Sequence, residues 1–182
     1  GLCTASGVTL GTAITADNCS VASVVNNAPA TFPLGATTVT WTVTDASGNT
    51  ATATQTVNVT DIQNPTITAP ANVTVNADAG ICTASGVTLG SALTADNCSV
   101  ASTVNDGPAT YPLGTTTVTW TVTDGSGNTN TSTQSVTVND SQNPTIATLT
   151  GISVNADAGV CSYASSQLTP PSAADNCSVA SV

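Results

Sequence analysis

The six cysteines are the residues best able to form covalent cross-links in this chain of 182 residues. They form three pairs whose members are 16 positions apart: Cys3 and Cys19, Cys82 and Cys98, Cys161 and Cys177. A structural zinc site needs cysteines or histidines at short spacings, and the chain has no histidine and no such cysteine cluster. The sequence therefore predicts disulfides, and disulfides indicate an oxidising compartment. Six cysteines allow fifteen pairings.

The acidic residues are the second group that could take part in chemistry or bind an ion. All ten are Asp, and the chain has no Lys, Arg, His or Glu, which gives a net charge of −10. Nothing in the chain neutralises phosphate, so the composition argues against nucleic-acid binding and against attraction to anionic membranes. No apolar run is long enough for a transmembrane helix. Catalytic centres that need His or a Lys Schiff base are excluded, and we expect no enzyme and no required cofactor.

The segments that position these residues recur with a period of 79. Cys3, Cys82 and Cys161 are 79 positions apart, as are Trp41 and Trp120. Residues 1–79 align with residues 80–158 without a gap. Self-similarity at a fixed period is the sequence signature of a repeat architecture.

The repeat boundary is predicted at the segment Asp61–Pro65, which recurs as 140–144. Proline removes a backbone donor and favours extended geometry before it, as suits a linker. We interpret 1–61 as a partial repeat that lacks its first strand, 62–140 as a complete repeat, and 141–182 as a partial repeat that lacks its last strands. The chain then resembles a window onto a longer array. The alternative is that neighbouring chains donate the missing strands.

Alternation of side chains predicts the strands. In Thr116–Thr123 the residues Val118, Trp120 and Val122 share one face, and Asp124–Asn128 supplies the following turn. Further strands are predicted at Asn72–Asn76, Ala84–Leu89, Val100–Asn105, Thr110–Leu113 and Thr129–Asn139. Because Thr and Val suit a pleated surface and no helical period is present, six or seven short strands per repeat predict an all-β chain of tandem two-sheet sandwiches.

These segments, in this order, resemble a known family. They are Pro65–Ile67 with Asn72–Val75, the cysteine motifs Asn76–Cys82 and Ala95–Ser99, and the segments Tyr111–Val118 and Thr123–Asn128. Together they are similar to the hyalin repeat (HYR), an immunoglobulin-like module of very long secreted surface proteins, including repetitive adhesins of Bacteroidota. The resemblance implies tandem immunoglobulin-like β-sandwich repeats of 79 residues. It implies no catalysis.

The resemblance also bears on the cysteine pairing. Members of the family often carry Cys-Pro in the first strand and another Cys in the last strand, where this chain has Ala69-Pro70 and the stretch Ala53–Gln55. Both positions are lost together, which implies that the remaining cysteines pair within one repeat, as Cys3–Cys19, Cys82–Cys98 and Cys161–Cys177. However, a strand from Cys82 to Leu89 would separate its ends by roughly 20 Å. The alternative is a staple between adjacent repeats, Cys3–Cys98 with Cys82–Cys177.

An immunoglobulin-like sandwich would gather several Asp and Asn residues at the end where the chain enters the repeat. Four of them, Asp96, Asn97, Asp124 and Asn128, would then lie near Asp61 and Asn64 of the linker, and Asp140 and Asp175 would take equivalent places at the next junction. One hypothesis is a Ca²⁺ site, because Ca²⁺ takes six to eight oxygen ligands and no basic residue offsets these carboxylates. The other is that these residues only form turns, since Asp and Asn bond their own backbone.

The sequence therefore predicts a structural or adhesive module, the rod-like shaft of a long secreted or cell-surface repeat protein or filament. Its expected partners are neighbouring repeats end to end, further copies in a filament or bundle, and a surface glycan or protein target. The alternative is a calcium-dependent carbohydrate- or receptor-binding module, which should expose aromatic residues. Trp41 and Trp120 alternate with valines and are expected to point inward. Tyr163, in a stretch that differs from the other repeats, is a weak candidate.

Overall fold

A computed structural model describes residues 2–162 and 171–181 of the chain. Every regular element in these residues is a β-strand, so the protein is all-β, as predicted. The strands are β1 (Thr4–Ser6), β2 (Val21–Asn26), β3 (Thr31–Pro33), β4 (Gly35–Asp45), β5 (Thr50–Val59), β6 (Thr66–Thr68), β7 (Val73–Asn76), β8 (Thr83–Ser85), β9 (Leu93–Ala95), β10 (Val100–Asn105), β11 (Thr110–Pro112), β12 (Gly114–Asp124), β13 (Thr129–Asn139), β14 (Thr145–Ile146) and β15 (Ala173–Ala174). None of the described residues forms a helix that could cross a lipid bilayer.

The chain divides into two compact units. The first consists of Gly1–Thr68, Ala92–Val104 and Trp120–Ser132, and it contains the sheet β2-β4-β5 and the strand pairs β1–β3 and β6–β9. The second consists of Ala69–Ser91, Asn105–Thr119 and Thr133–Val182, and it contains the pairs β8–β11 and β14–β15. The sheet β10-β12-β13-β7 belongs to the complete repeat.

The core follows the predicted alternation. Val118, Trp120 and Val122 of β12 are buried, with 5% or less of each side chain exposed. Val136 and Val138 of β13 are buried beside them in the sheet, where β13 runs parallel to β7 and pairs with Val73 and Val75. Since threonines fill most of the opposite positions of β12, one face of this strand is apolar and the other is polar, as expected for a sandwich.

A glutamine at the same position of the first two repeats, buried in the second and half-buried in the first, bonds to the chain between strands. Gln134 is 1% exposed, and its Nε2 donates to the carbonyl oxygens of Ala71 (2.6 Å) and Leu89 (2.9 Å). In the first repeat, Nε2 of Gln55 donates to the carbonyl oxygen of Leu10 (3.1 Å). These bonds give partners to carbonyls of residues that lie outside the strands.

Two strand predictions differ from the structure. The predicted strand Ala84–Leu89 ends early, at Ser85, because Gly86 adopts a left-handed conformation (φ 63°) that interrupts an extended strand. The short strand β9, Leu93–Ala95, was not predicted; it forms by antiparallel pairing with β6. The segment 62–140 therefore contains eight strands instead of six or seven. A three-residue strand has too few alternating side chains to show its period.

Candidate functional site

Two disulfides join cysteines that are 95 positions apart, Cys3–Cys98 and Cys82–Cys177. The expected pairing within one repeat, Cys3–Cys19, Cys82–Cys98 and Cys161–Cys177, is therefore wrong, and the alternative of a staple between adjacent repeats is correct. Cys19 and Cys161, which were also expected in disulfides, are free and exposed. Both disulfides thus have the same spacing, and neither Cys19 nor Cys161 has a cysteine at that spacing in the sequence.

The tertiary structure explains why the cysteines of one repeat do not pair. The segment before Cys82 lies beside the linker that leaves the repeat, since the backbone N–H of Gly80 donates to Gln142 Oε1 (3.0 Å). The residue before Cys98 lies beside the linker that enters it, since Asn97 Nδ2 donates to Asp61 Oδ1 (3.4 Å). Each cysteine therefore faces a different neighbouring repeat.

Side-chain amides hold the linker that enters the complete repeat. Asn128 Nδ2 donates to the carbonyl oxygen of Asp61 (3.2 Å), and Asn130 Nδ2 donates to that of Pro65 (2.9 Å). The backbone N–H of Gln63 donates to Asp61 Oδ1 (3.0 Å), which turns the linker on itself. The predicted neighbourhood of Asp61, Asn97 and Asn128 is thus present in the structure.

Asp124 serves the hairpin turn between β12 and β13. Its Oδ1 accepts bonds from the backbone N–H of Ser126 (2.9 Å) and Asn128 (2.8 Å), and its Oδ2 accepts one from Asn128 Nδ2 (2.7 Å). Burial acts to raise the pKa of Asp124, which is only 2% exposed, but the hydrogen bonds from Asn128, Ser126 and Gly127 outweigh it and place the pKa below its ordinary value. Both oxygens are occupied, so the contacts favour the turn hypothesis for Asp124.

Asp45 has the same role in the first repeat. Asn49 donates to it from its side chain (2.7 Å) and its backbone (2.8 Å), and the backbone N–H of Ser47 donates to it as well (2.8 Å). The side-chain bond from Asn49 is the main cause that lowers the pKa of Asp45. The turn therefore forms in the same way in both repeats.

Asp61 and Asp96 form a different group at the linker. An oxygen of each carboxylate and the sulfur of Cys98 all lie within 4.8 Å of one another. Asp96 Oδ2 accepts the backbone N–H of Cys98 (2.7 Å) and of Ser99 (3.1 Å). The remaining oxygens, Asp61 Oδ2 and Asp96 Oδ1, are buried and accept no hydrogen bond, and the same is true of Asn97 Oδ1.

The second junction repeats this arrangement. Oxygens of Asp140 and Asp175 lie within 4.8 Å of each other and of the sulfur of Cys177. Asp175 Oδ1 accepts the backbone N–H of Cys177 (2.9 Å), while Asp175 Oδ2 and Asn176 Oδ1 are buried without a partner. Asp140 is exposed, whereas its counterpart Asp61 is half-buried.

Asn64 lies in the same neighbourhood, where it lines a cleft together with Asp96 and Asn97. Its counterpart Asn143 lines a cleft with Asp175 and Asn176. Of the predicted candidates, Asn64, Asp96 and Asn97 thus line one cleft, and Asp61 lines a second cleft to which Asn97 also contributes. The orphaned oxygens themselves could not be found from the sequence, because Asp61 and Asp96 are 35 positions apart and come together only in the folded chain.

Most aromatic residues in the part of the chain that the structure describes are buried. Phe32, Tyr111 and Trp120 are 5% exposed or less, and Trp41 is half-buried, with its Nε1 donating to Gln55 Oε1 (3.0 Å). The inward prediction is confirmed for Trp120, whereas Trp41 is half-buried and lines a cleft with Val24 and Val43. Tyr163 lies outside the described residues.

Comparison with known families gives a match to the HYR domain over residues 8–59 and 60–138. The two matched stretches are adjacent and together cover well over half of the chain. No curated protein matches the chain.

Proposed function

Because this chain belongs to the HYR domain family, whose repeats are non-catalytic and suggest extracellular adhesion-type modules, we propose that it is a structural segment of a secreted or cell-surface adhesion protein. In this proposal it forms a shaft that carries tension between a surface and a target. Membership in an adhesin of bacterial origin remains a prediction from the resemblance. The observation that carries the proposal is the disulfide at each junction.

The disulfides shorten the covalent path through the chain. Tension on the two ends follows the Cys3–Cys98 bond, then the segment between Cys98 and Cys82, then the Cys82–Cys177 bond. Only 16 positions separate Cys82 from Cys98, whereas the repeat is 79 residues long. Residues 4–81 and 99–176 lie outside the path and bear no tension.

This path limits how far a repeat extends under force. At about 3.3–3.6 Å per extended residue, the loaded segment reaches roughly 55 Å, while a fully unravelled repeat would reach roughly 270 Å. An oxidised array therefore resists unravelling even when its sandwiches open. Such a limit suits a tether between a cell surface and a target.

The buried aromatic residues favour a shaft over the alternative binding module. Sugar-binding surfaces rely on exposed aromatic faces, and the described aromatic side chains are buried or half-buried. The composition also agrees with long extracellular exposure, because a chain without Lys or Arg offers no site to trypsin-like proteases.

Force spectroscopy of the whole chain, held by peptide tags at its two ends, tests the proposal. The oxidised chain should extend to roughly 90 Å in total, and the reduced chain to roughly 600 Å. The variant Cys3→Ser/Cys98→Ser should release only the first loop. The matched control Cys19→Ser/Cys161→Ser, which keeps both disulfides, should behave as the parent chain. Full extension of the oxidised chain would refute the shaft proposal in this form.

A further inference from the structure

We propose that each junction between successive repeats binds Ca²⁺ through the orphaned side-chain oxygens beside the disulfide. At the first junction the ligands are Asp61 Oδ2, Asp96 Oδ1 and Asn97 Oδ1. At the second they are Asp140, Asp175 Oδ2 and Asn176 Oδ1. This inference does not depend on the shaft proposal, since it rests on different atoms.

These oxygens lack the hydrogen-bond partners that buried polar atoms need. A buried carboxylate oxygen without a hydrogen bond is strongly unfavourable, and a charged group is more so than a neutral one. At Asp61 and Asp96 one oxygen is fixed by backbone N–H groups of Gln63, Cys98 and Ser99, and that leaves the other without a donor. These two carboxylate oxygens and the amide oxygen Asn97 Oδ1 are all unpaired at one junction, and a bound cation would stabilise all three.

The protein has no positively charged side chain that could offset these carboxylates. It contains no Lys, Arg or His, so only a cation or a proton from solution can offset two neighbouring carboxylates. One oxygen of the Asp61 carboxylate lies within 4.8 Å of one oxygen of the Asp96 carboxylate, a spacing at which one ion 2.3–2.6 Å from its ligands can contact both groups.

The chemistry of the ligand atoms indicates which cation the site would bind. All available ligands are oxygens, because the sulfurs of Cys98 and Cys177 are in disulfides and metal-binding cysteines are thiolates. Oxygen ligands select hard cations, and Ca²⁺ tolerates irregular geometry better than Mg²⁺ does. With few protein ligands and water completing the shell, we expect a Kd of about 10⁻⁴–10⁻³ M, the range of extracellular calcium modules.

The recurrence of the pattern is an independent observation. The oxygens of Asp175 and Asn176 are orphaned at the second junction just as those of Asp96 and Asn97 are at the first. Asp140 is exposed while Asp61 is half-buried, so the first site should bind more tightly. The Asp124 side chain takes no part, because both of its oxygens accept hydrogen bonds within the turn.

The test is an NMR titration of the oxidised, ¹⁵N-labelled chain with CaCl₂, with NaCl at matched ionic strength as the reference. Saturable shifts of the Asn97 and Asn176 side-chain amide signals are expected, with two sites per chain. The variant Asp96→Asn should weaken the first site at least 10-fold and leave the second unchanged, and Asp175→Asn should do the reverse.

Asp17→Asn is the matched control. Asp17 occupies the position of Asp96 in the first repeat and accepts the same backbone bonds, from Cys19 (2.8 Å) and Ser20 (3.0 Å), but it is exposed. Its loss should leave both sites intact. The proposal is overturned if 10-fold more Ca²⁺ than the expected Kd shifts neither amide, or if Asp17→Asn weakens binding as much as Asp96→Asn. It is also overturned if lowering the pH reproduces the shifts while Ca²⁺ does not, because a shared proton would then fill the site. Intact mass under non-reducing conditions verifies that each variant keeps its disulfides.

Discussion

The side-chain nitrogen of Asn128 donates to the carbonyl oxygen of Asp61 across 3.2 Å, and it also donates to Asp124 Oδ2 at 2.7 Å. One amide group therefore closes the last hairpin turn and fixes the linker that enters the repeat. In the first repeat, Asn49 closes the equivalent turn on Asp45. A comparison of Asn128 with Asn49 therefore separates the role in the linker from the role in the turn.

We expect Asn128→Ala to loosen the linker that contains Asp61. The control substitution Asn49→Ala should leave this linker unchanged. Losing one net hydrogen bond amounts to about 1 kcal/mol, or roughly a fivefold change in an opening equilibrium. Amide hydrogen exchange at Gln63 should accelerate by about that factor in Asn128→Ala. Equal exchange at Gln63 in the two variants would show that the Asp61 contact does not hold the linker.

Disulfide mapping should recover the two cross-repeat pairs. Because the chain has no site for trypsin, the native protein should be alkylated and then digested with an Asp-specific protease without reduction. Mass spectrometry should find Cys3 linked to Cys98 and Cys82 linked to Cys177, with Cys19 and Cys161 alkylated. Recovery of Cys82 linked to Cys98 would contradict the structure.

Removing one staple should destabilise the protein strongly. Closing a loop of 95 positions stabilises by about 4–5 kcal/mol in the chain-entropy model, so Cys82→Ser/Cys177→Ser should lose a contribution of that size. The exposed free cysteines give the control, Cys19→Ser/Cys161→Ser, which should unfold as the parent does. Denaturant unfolding followed by tryptophan fluorescence measures the free energy of unfolding of both variants. A similar loss of stability in the two would argue against a stabilising role of the Cys82–Cys177 disulfide.

The valines of the complete repeat offer a matched test of the core. Val118 is fully buried and Val104 is 58% exposed. We expect Val118→Ala to lower the free energy of unfolding by roughly 2–3 kcal/mol, from lost apolar burial and a cavity. Val104→Ala should change it by less than about 0.5 kcal/mol. If the two substitutions lowered the unfolding midpoint equally, Val118 would not be part of the core.

The two turn aspartates should make stability fall in acid. The folded pKa values of Asp45 and Asp124 lie below the ordinary 3.8, so their ionised forms stabilise the fold above that pH. This contribution is lost as the pH falls through the lowered values. Thermal unfolding from about pH 5 to about pH 2 should show a shallower decline for Asp45→Asn/Asp124→Asn than for the parent chain. An unchanged slope would contradict the assigned turn bonds.

The alternating pattern of the sequence determined the long strands of this protein. Val118, Trp120 and Val122 alternate with threonines, and side-chain alternation is a local property that reports which face is buried. The same reasoning placed β10 at its observed bounds and the turn at Asp124. The charge composition, which is also readable without a structure, determined that any compensating charge must come from solution.

Only the tertiary structure decided the cysteine partners and the orphaned oxygens. In a repeat sequence, Cys82 is followed by equivalent cysteines 16 and 95 positions later, and the sequence looks alike around both. The choice depends on which end of the repeat each cysteine reaches, and that follows from the Gly80–Gln142 and Asn97–Asp61 contacts between distant segments. The burial of Asp61 Oδ2 and Asp96 Oδ1 has the same origin, because residues 35 positions apart enclose them together only after folding.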